Sequence, residues 1–266
     1  IIRKRVIKKF IKHWFKKKYM LKNIDRLLDH ILEDYNKWGI CLQKRPKLHV
    51  VEERTQSNFN YGSYVHAAVI LNPNQKIKRD YDMMYRIAKV VYEGTGVSKE
   101  KIQEEIHQKI KEALKKSEKY MDQQGDIILY PDFFSESGKI TADITLAHEI
   151  WHIVEDGRNL ITNSIWSREG SATYASYRLL EVVHANTDQP FRGRPFSHFA
   201  HPIHGLYDAC ALITSKYVEQ EQNPFQALLL PSIRAKIEAE CEQELFKRIR
   251  EFYVTKPLEE DSKDLL

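Results

Sequence analysis

Cysteine is scarce: Cys41, Cys210 and Cys241 are the whole complement, odd in number, widely spaced and without a C-x-x-C pair. This excludes the dense disulfide framework of a small secreted domain and points to reduced core thiols, so a reducing, cytoplasmic setting is expected. Long apolar runs are missing too. None approaches the roughly 18 residues that cross a bilayer, so a soluble chain is expected. No methionine opens the sequence, which starts Ile1-Ile2; an upstream piece that could carry a signal or anchor is expected to have been trimmed. Acidic residues are absent before Asp25, whereas residues 1–24 hold ten Lys or Arg. Taking those ten from the net charge of +5 leaves −5 for the remainder. A nucleic-acid-binding domain carries its positive charge over its body. Here the excess sits on one arm, and no nucleic-acid partner is expected.

What is present is ample for a core: 266 residues, 42% hydrophobic and 30% charged, enough for one large domain or two tightly joined lobes. Ile7, Phe10, Trp14, Leu21, Ile24, Leu28, Ile31 and Tyr35 recur at helical spacing, and Gly39 follows where a helix ends. One long or two broken helices are expected over this basic arm, residues 1–45. Its apolar stripe would pack on the rest of the protein, or residues 1–24 would make peripheral contact with anionic headgroups. After Pro46, Leu48–Glu52 and Tyr64–Leu71 read as strands, Tyr81–Tyr92 and Ser98–Gln124 as helices, and Ile127–Tyr130 as a third strand. Helix resumes at Thr141 and runs to about Gly157. Trp166–Val183, Tyr207–Glu221 and Phe225–Phe252 are then expected as helices, before a frayed tail from Glu259. The expected architecture is α+β, with residues 46–157 forming a sheet-bearing lobe and 158–266 a helical one.

Inside the helix that begins at Thr141 lies His148-Glu149-Ile150-Trp151-His152. Residues four apart on a helix stand about 40° and one turn from each other, so both imidazoles can reach one ion. Imidazole nitrogen suits Zn²⁺, and catalytic zinc keeps three protein ligands and an open position for water. Glu149 projects beside the pair as a base rather than a ligand. A third ligand must come from elsewhere. Asp156 stands about 12 Å along the helix axis from His148 and cannot close a tetrahedron, although it could orient a ligand. Glu155 and Arg158 occupy positions where a metzincin requires Gly and His, which excludes that class. Glu169, within Trp166-Ser167-Arg168-Glu169-Gly170-Ser171-Ala172-Thr173-Tyr174, opens the next helix after a loop long enough to reverse the chain.

With that segment the sequence resembles the gluzincin superfamily of zinc metallopeptidases, in which HExxH is followed by a helix bearing an E-G-x-A-x-Y-like segment. The resemblance covers about residues 127–220. It implies a zincin-like fold, with a small mixed sheet and active-site helix above, a mainly helical lobe below and a substrate cleft between them. It also implies a His148, His152 and Glu169 zinc site with Glu149 as general base. The chain lacks the G-x-M-E-N segment of the aminopeptidase branch and the N-E-x-x-S-D pattern of thermolysin-like enzymes. His204-Gly205-Leu206-Tyr207-Asp208-Ala209-Cys210-Ala211 is similar to the Y-x-x-G-A helix start of many gluzincins, with Cys210 in place of the glycine, and makes Tyr207 the expected oxyanion donor. Tyr174 and Tyr177 are alternative donors with core explanations of their own. His198, His201 and His204 recur every third residue around Pro202; His201 and His204 are expected to touch substrate, in preference to a second metal site. The resulting expectation is a zinc-dependent peptidase acting on a peptide or protein. The alternative is a catalytically inactive gluzincin-like binding or scaffold module attached through its basic arm.

Overall fold

The structure, a computed structural model, describes residues 21–52, 66–70, 85, 88, 98–117, 123–135, 138, 141–158, 160, 164–180 and 206–255. The membrane contact expected of residues 1–24 therefore falls almost wholly outside the described residues. So do most of the helix expected over Tyr81–Tyr92, the histidines His198, His201 and His204, and the tail from Glu259. Within the described residues the protein is mixed α and β, mostly helical, with one three-stranded sheet. No described helix is long and apolar enough to cross a membrane.

The first helix, α1, spans residues 21–37. Its stripe Ile24, Leu28, Ile31 and Tyr35 is buried, as three- and four-residue spacing requires of a one-sided helix. Gly39 ends it in the left-handed region at φ 74°, where a residue without Cβ carries no steric penalty. The Ile40 amide then turns back to the Tyr35 carbonyl at 3.0 Å. Strand β1 (Leu48–Val50) pairs in parallel with the fully buried β3 (Ile127–Leu129), and β2 (Ala67–Val69) pairs antiparallel with the other side of β3. The sheet order is β1-β3-β2. Between β2 and β3 in sequence lies α2 (Lys99–Ser117). Asp126 secures the entrance to β3, accepting from the Lys47 amide at 3.0 Å and bonding His49 Nε2 at 2.8 Å.

Beyond β3 and the 3₁₀ turn at Pro131–Phe134, helix α3 (Ala142–Gly157) buries Leu146, Ala147, Ile150, Trp151 and Val154. Tyr35 fixes α1 to it, its hydroxyl donating to the Ala147 carbonyl at 2.9 Å. Trp151 stands within 6.1 Å of the Tyr35 ring and 6.0 Å of Phe225. The remaining helices are α4 (Ile165–Leu179), α5 (Leu206–Val218), α6 (Pro224–Ala227) and α7 (Pro231–Thr255). Buried side chains from α1, α3 to α7 and the sheet form one continuous core. One expectation is corrected here: Phe225–Phe252 is two helices, because Pro231 has no amide hydrogen and its ring would strike the carbonyl of Ala227. Pro231 instead opens α7, where the amide hydrogen is dispensable.

Helices α4 and α5 approach at Gly170. A Cβ there would overlap the Cys210 Cβ and lie 2.7 Å from its carbonyl carbon. Gly170→Ala is expected to force the two helices apart and cost about 3 kcal/mol, read as a lower urea midpoint.

Candidate metal centre

Helix α3 is clamped on its apolar side, which fixes its rotation and turns His148 and His152 towards α4. Helix α4 is set in turn by its cap, the Ser164 hydroxyl accepting from the Ser167 amide at 3.4 Å, and by the buried Trp166. One turn after Trp166, Glu169 meets the histidines. His148 Nε2 lies 3.1 Å from His152 Nε2 and 3.1 Å from Glu169 Oε2, and His152 Nε2 lies 3.5 Å from Glu169 Oε1. Ligand atoms held at about 2.0–2.2 Å around a tetrahedral centre are spaced about 3.3–3.6 Å from one another. One ligand atom from each of the three residues lies within 4.8 Å of the other two, and the group could hold a metal ion. Among the described residues it is the only such cluster. The two imidazole nitrogens and the carboxylate converge with their lone pairs, an arrangement that requires shared protons or a cation.

The charges in this site are strongly coupled. Burial, the largest single influence, disfavours a charged His152, and Arg168 acts the same way, yet the charge of Glu169 and the hydrogen bonds to Glu155 and Glu169 together raise the ring to about 9. Burial likewise acts to raise the Glu169 carboxyl, but His152 and His148 hold it well below the usual carboxylate range.

Glu149 is buried on α3, and its Oε2 accepts from the Val69 amide of β2 at 3.0 Å. The edge of the sheet thereby orients the expected base. Tyr207, at the start of α5, packs its ring at a tilt against Trp166, the centroids 5.9 Å apart. Burial first, then the charges of Glu169 and Glu149, keep its phenol well above its ordinary value, so it stays protonated and can donate. Tyr174 is turned elsewhere: its hydroxyl donates to Glu219 at 2.6 Å. Tyr177 packs against the core. Asp156, weighed as an orienting group, accepts from Gln124 at 3.2 Å.

The group that does meet a ligand from behind is Glu155, fully buried one turn after His152. Its Oε2 is 3.5 Å from His152 Nδ1 and 3.2 Å from Arg168 Nε, while its Oε1 accepts from Arg234 Nη1 at 2.8 Å. Arg168 Nε donates to His152 Nδ1 at 3.1 Å, and its Nη2 donates to the His152 carbonyl at 3.3 Å. Burial raises the Glu155 carboxyl, but Arg234, then His152 and Arg168, pull it down to about 2. In the sequence Glu155 stands out only as a departure from the metzincin pattern. A charged residue three positions after a ligand, on a helix with little exposed surface, was the available signal; nothing local marks Arg234.

Compared with protein-family models, curated proteins and solved structures, the chain matches none.

Proposed function

We propose that this protein is a zinc-dependent peptidase of the gluzincin type, with a zincin-like fold. The reading is carried by one observation: two imidazoles of α3 and a carboxylate of α4 bring ligand atoms within 4.8 Å of one another beside a buried glutamate. His148, His152 and Glu169 would hold the ion. Two nitrogens and one oxygen match the donor set of His₂Glu zinc sites, which leave a fourth position open. Bound there, zinc supplies a Lewis acid that acidifies water and polarises a carbonyl.

The chain's own groups do the rest. Glu149 keeps Oε2 on the Val69 amide, leaving Oε1 to take a proton from the attacking water and deliver it to the departing amide nitrogen. Tyr207, held protonated, donates its hydroxyl hydrogen to the oxygen that gains charge as the carbonyl is attacked. Tyr207→Phe is expected to lower kcat about 10²-fold with little change in KM or zinc content, because the donor acts on charge that develops only during the reaction.

Zinc analysis of the purified protein, followed by digestion of a broad peptide library, tests the reading. About one zinc per chain and cleavage that ceases with chelator are expected. A protein that holds zinc but cleaves nothing would leave the binding-module alternative, and one that holds no metal would remove both.

A further inference from the structure

Resting on the metal-site reading above, we infer that Arg168, Glu155 and Arg234 form a buried clamp that sets the gap between α3 and α4, and so act as positioning residues for Glu169. Of the three donors, Glu169 is the one that does not come from α3. The spacing of His148 and His152 is settled by one turn of helix. Where the carboxylate arrives depends on how α4 docks.

At the level of the donors the two helices are tied by an ion pair and hydrogen bonds. Glu155, one turn beyond His152, places Oε2 at 3.2 Å from Nε of Arg168, the residue immediately before Glu169. Arg168 also donates through Nη2 to the His152 carbonyl at 3.3 Å and through Nε to the His152 ring at 3.1 Å. All of these contacts end on α3, so the start of α4 is held to it side by side.

Arg234 completes the clamp from α7. Its Nη1 donates to Glu155 Oε1 at 2.8 Å and to the Leu228 carbonyl at 3.3 Å, and its Nη2 reaches the Leu160 carbonyl at 3.4 Å. The Leu160 amide donates in turn to the Glu155 carbonyl at 3.0 Å. One guanidinium thus holds both the last turn of α3 and the chain beyond it on the way to α4.

Arg168, Glu155 and Arg234 are 5%, 1% and 6% exposed. Such a triad is a poor source of stability, because apolar side chains of similar volume do as well or better. What it adds is geometry. A directional bond near 3 Å fixes distance and angle together, whereas apolar surfaces slide. A metal donor needs that constraint, since ligand distances are held to about 0.2 Å.

The triple variant Arg168→Met/Glu155→Met/Arg234→Met removes the triad as a unit and leaves none of its charges buried alone. Arg234→Lys keeps a cation for Glu155 but loses the fork that reaches Leu228 and Leu160, and it serves in place of the triple variant if that does not fold. Zinc affinity is measured at about pH 7 by competition with a chromophoric chelator, on protein shown by urea titration to be fully folded, so that lost stability cannot imitate lost affinity. Amide hydrogen exchange of the zinc-free proteins follows the first turns of α4, where the amide of residue 168 bonds the Ser164 carbonyl. Zinc affinity is expected to fall about 10–100-fold in the triple variant and about 10-fold in Arg234→Lys, with faster exchange at the start of α4 than in the parent. A folded variant that keeps the parent's zinc affinity overturns the inference. Should the parent protein take up no zinc, the metal-site reading fails by itself; exchange at the start of α4 then decides, and a rate equal to the parent's overturns the clamp.

Discussion

Glu149→Gln is expected to leave zinc content unchanged while reducing peptide hydrolysis about 10²–10⁴-fold. The substitution preserves size, and a glutamine oxygen can still accept from the Val69 amide, so the side chain keeps the orientation seen for Glu149. What disappears is the ability to take up and release a proton. Because Glu149 contributes no atom to the cluster of His148, His152 and Glu169, metal retention and turnover should separate cleanly. Metal analysis beside a peptide-library digest checks both. Undiminished turnover would remove Glu149 from the mechanism, and loss of metal would show that it supports the cluster.

Glu169→Ala should have the opposite signature, losing metal first and activity in consequence. It removes one of three donors together with the negative charge that draws a cation to two neutral rings. The expected loss of zinc affinity exceeds that for an outer partner and is about 10³-fold or more. In the metal-free protein the same change removes the main influence raising His152, whose titration should fall from about 9.

That raised value also sets a pH dependence. A group held above its ordinary 6.5 stabilises the metal-free fold fully below 6.5, and this contribution fades as pH rises through about 9. Metal needs the lone pair that the proton occupies, so zinc affinity is expected to climb with pH until about 9 and then level off. Chelator competition across that range checks the slope. A flat profile would mean that His152 sheds no proton on binding.

The parts of the site that were legible in the sequence are those that depend on helix geometry alone. His148 and His152 share one face because four residues make about one turn, whatever surrounds them. Glu169 could be named because it sits in a recognisable segment that opens a helix. The α1 stripe from Ile24 to Tyr35 and the break at Gly39 were equally local signals. The strands were placed but overdrawn: each is three residues long, too short for alternation to define its ends. Pro231 was a local signal that went unused, and it divides the last helix.

The sequence by itself determined most of the helices and the face on which the two histidines stand, since these follow from spacing within one element, while Glu169 as third donor came from the resemblance of its segment. Only the tertiary structure decided that Glu155 and Arg234, 79 positions apart, share a buried ion pair behind His152, that Val69 holds Glu149, and that Tyr174 is turned to Glu219. The physical reason is that a buried charge or hydroxyl takes whichever partner the packing brings within about 3 Å, and that choice is made by how helices and strands dock, not by the order of residues along any one of them.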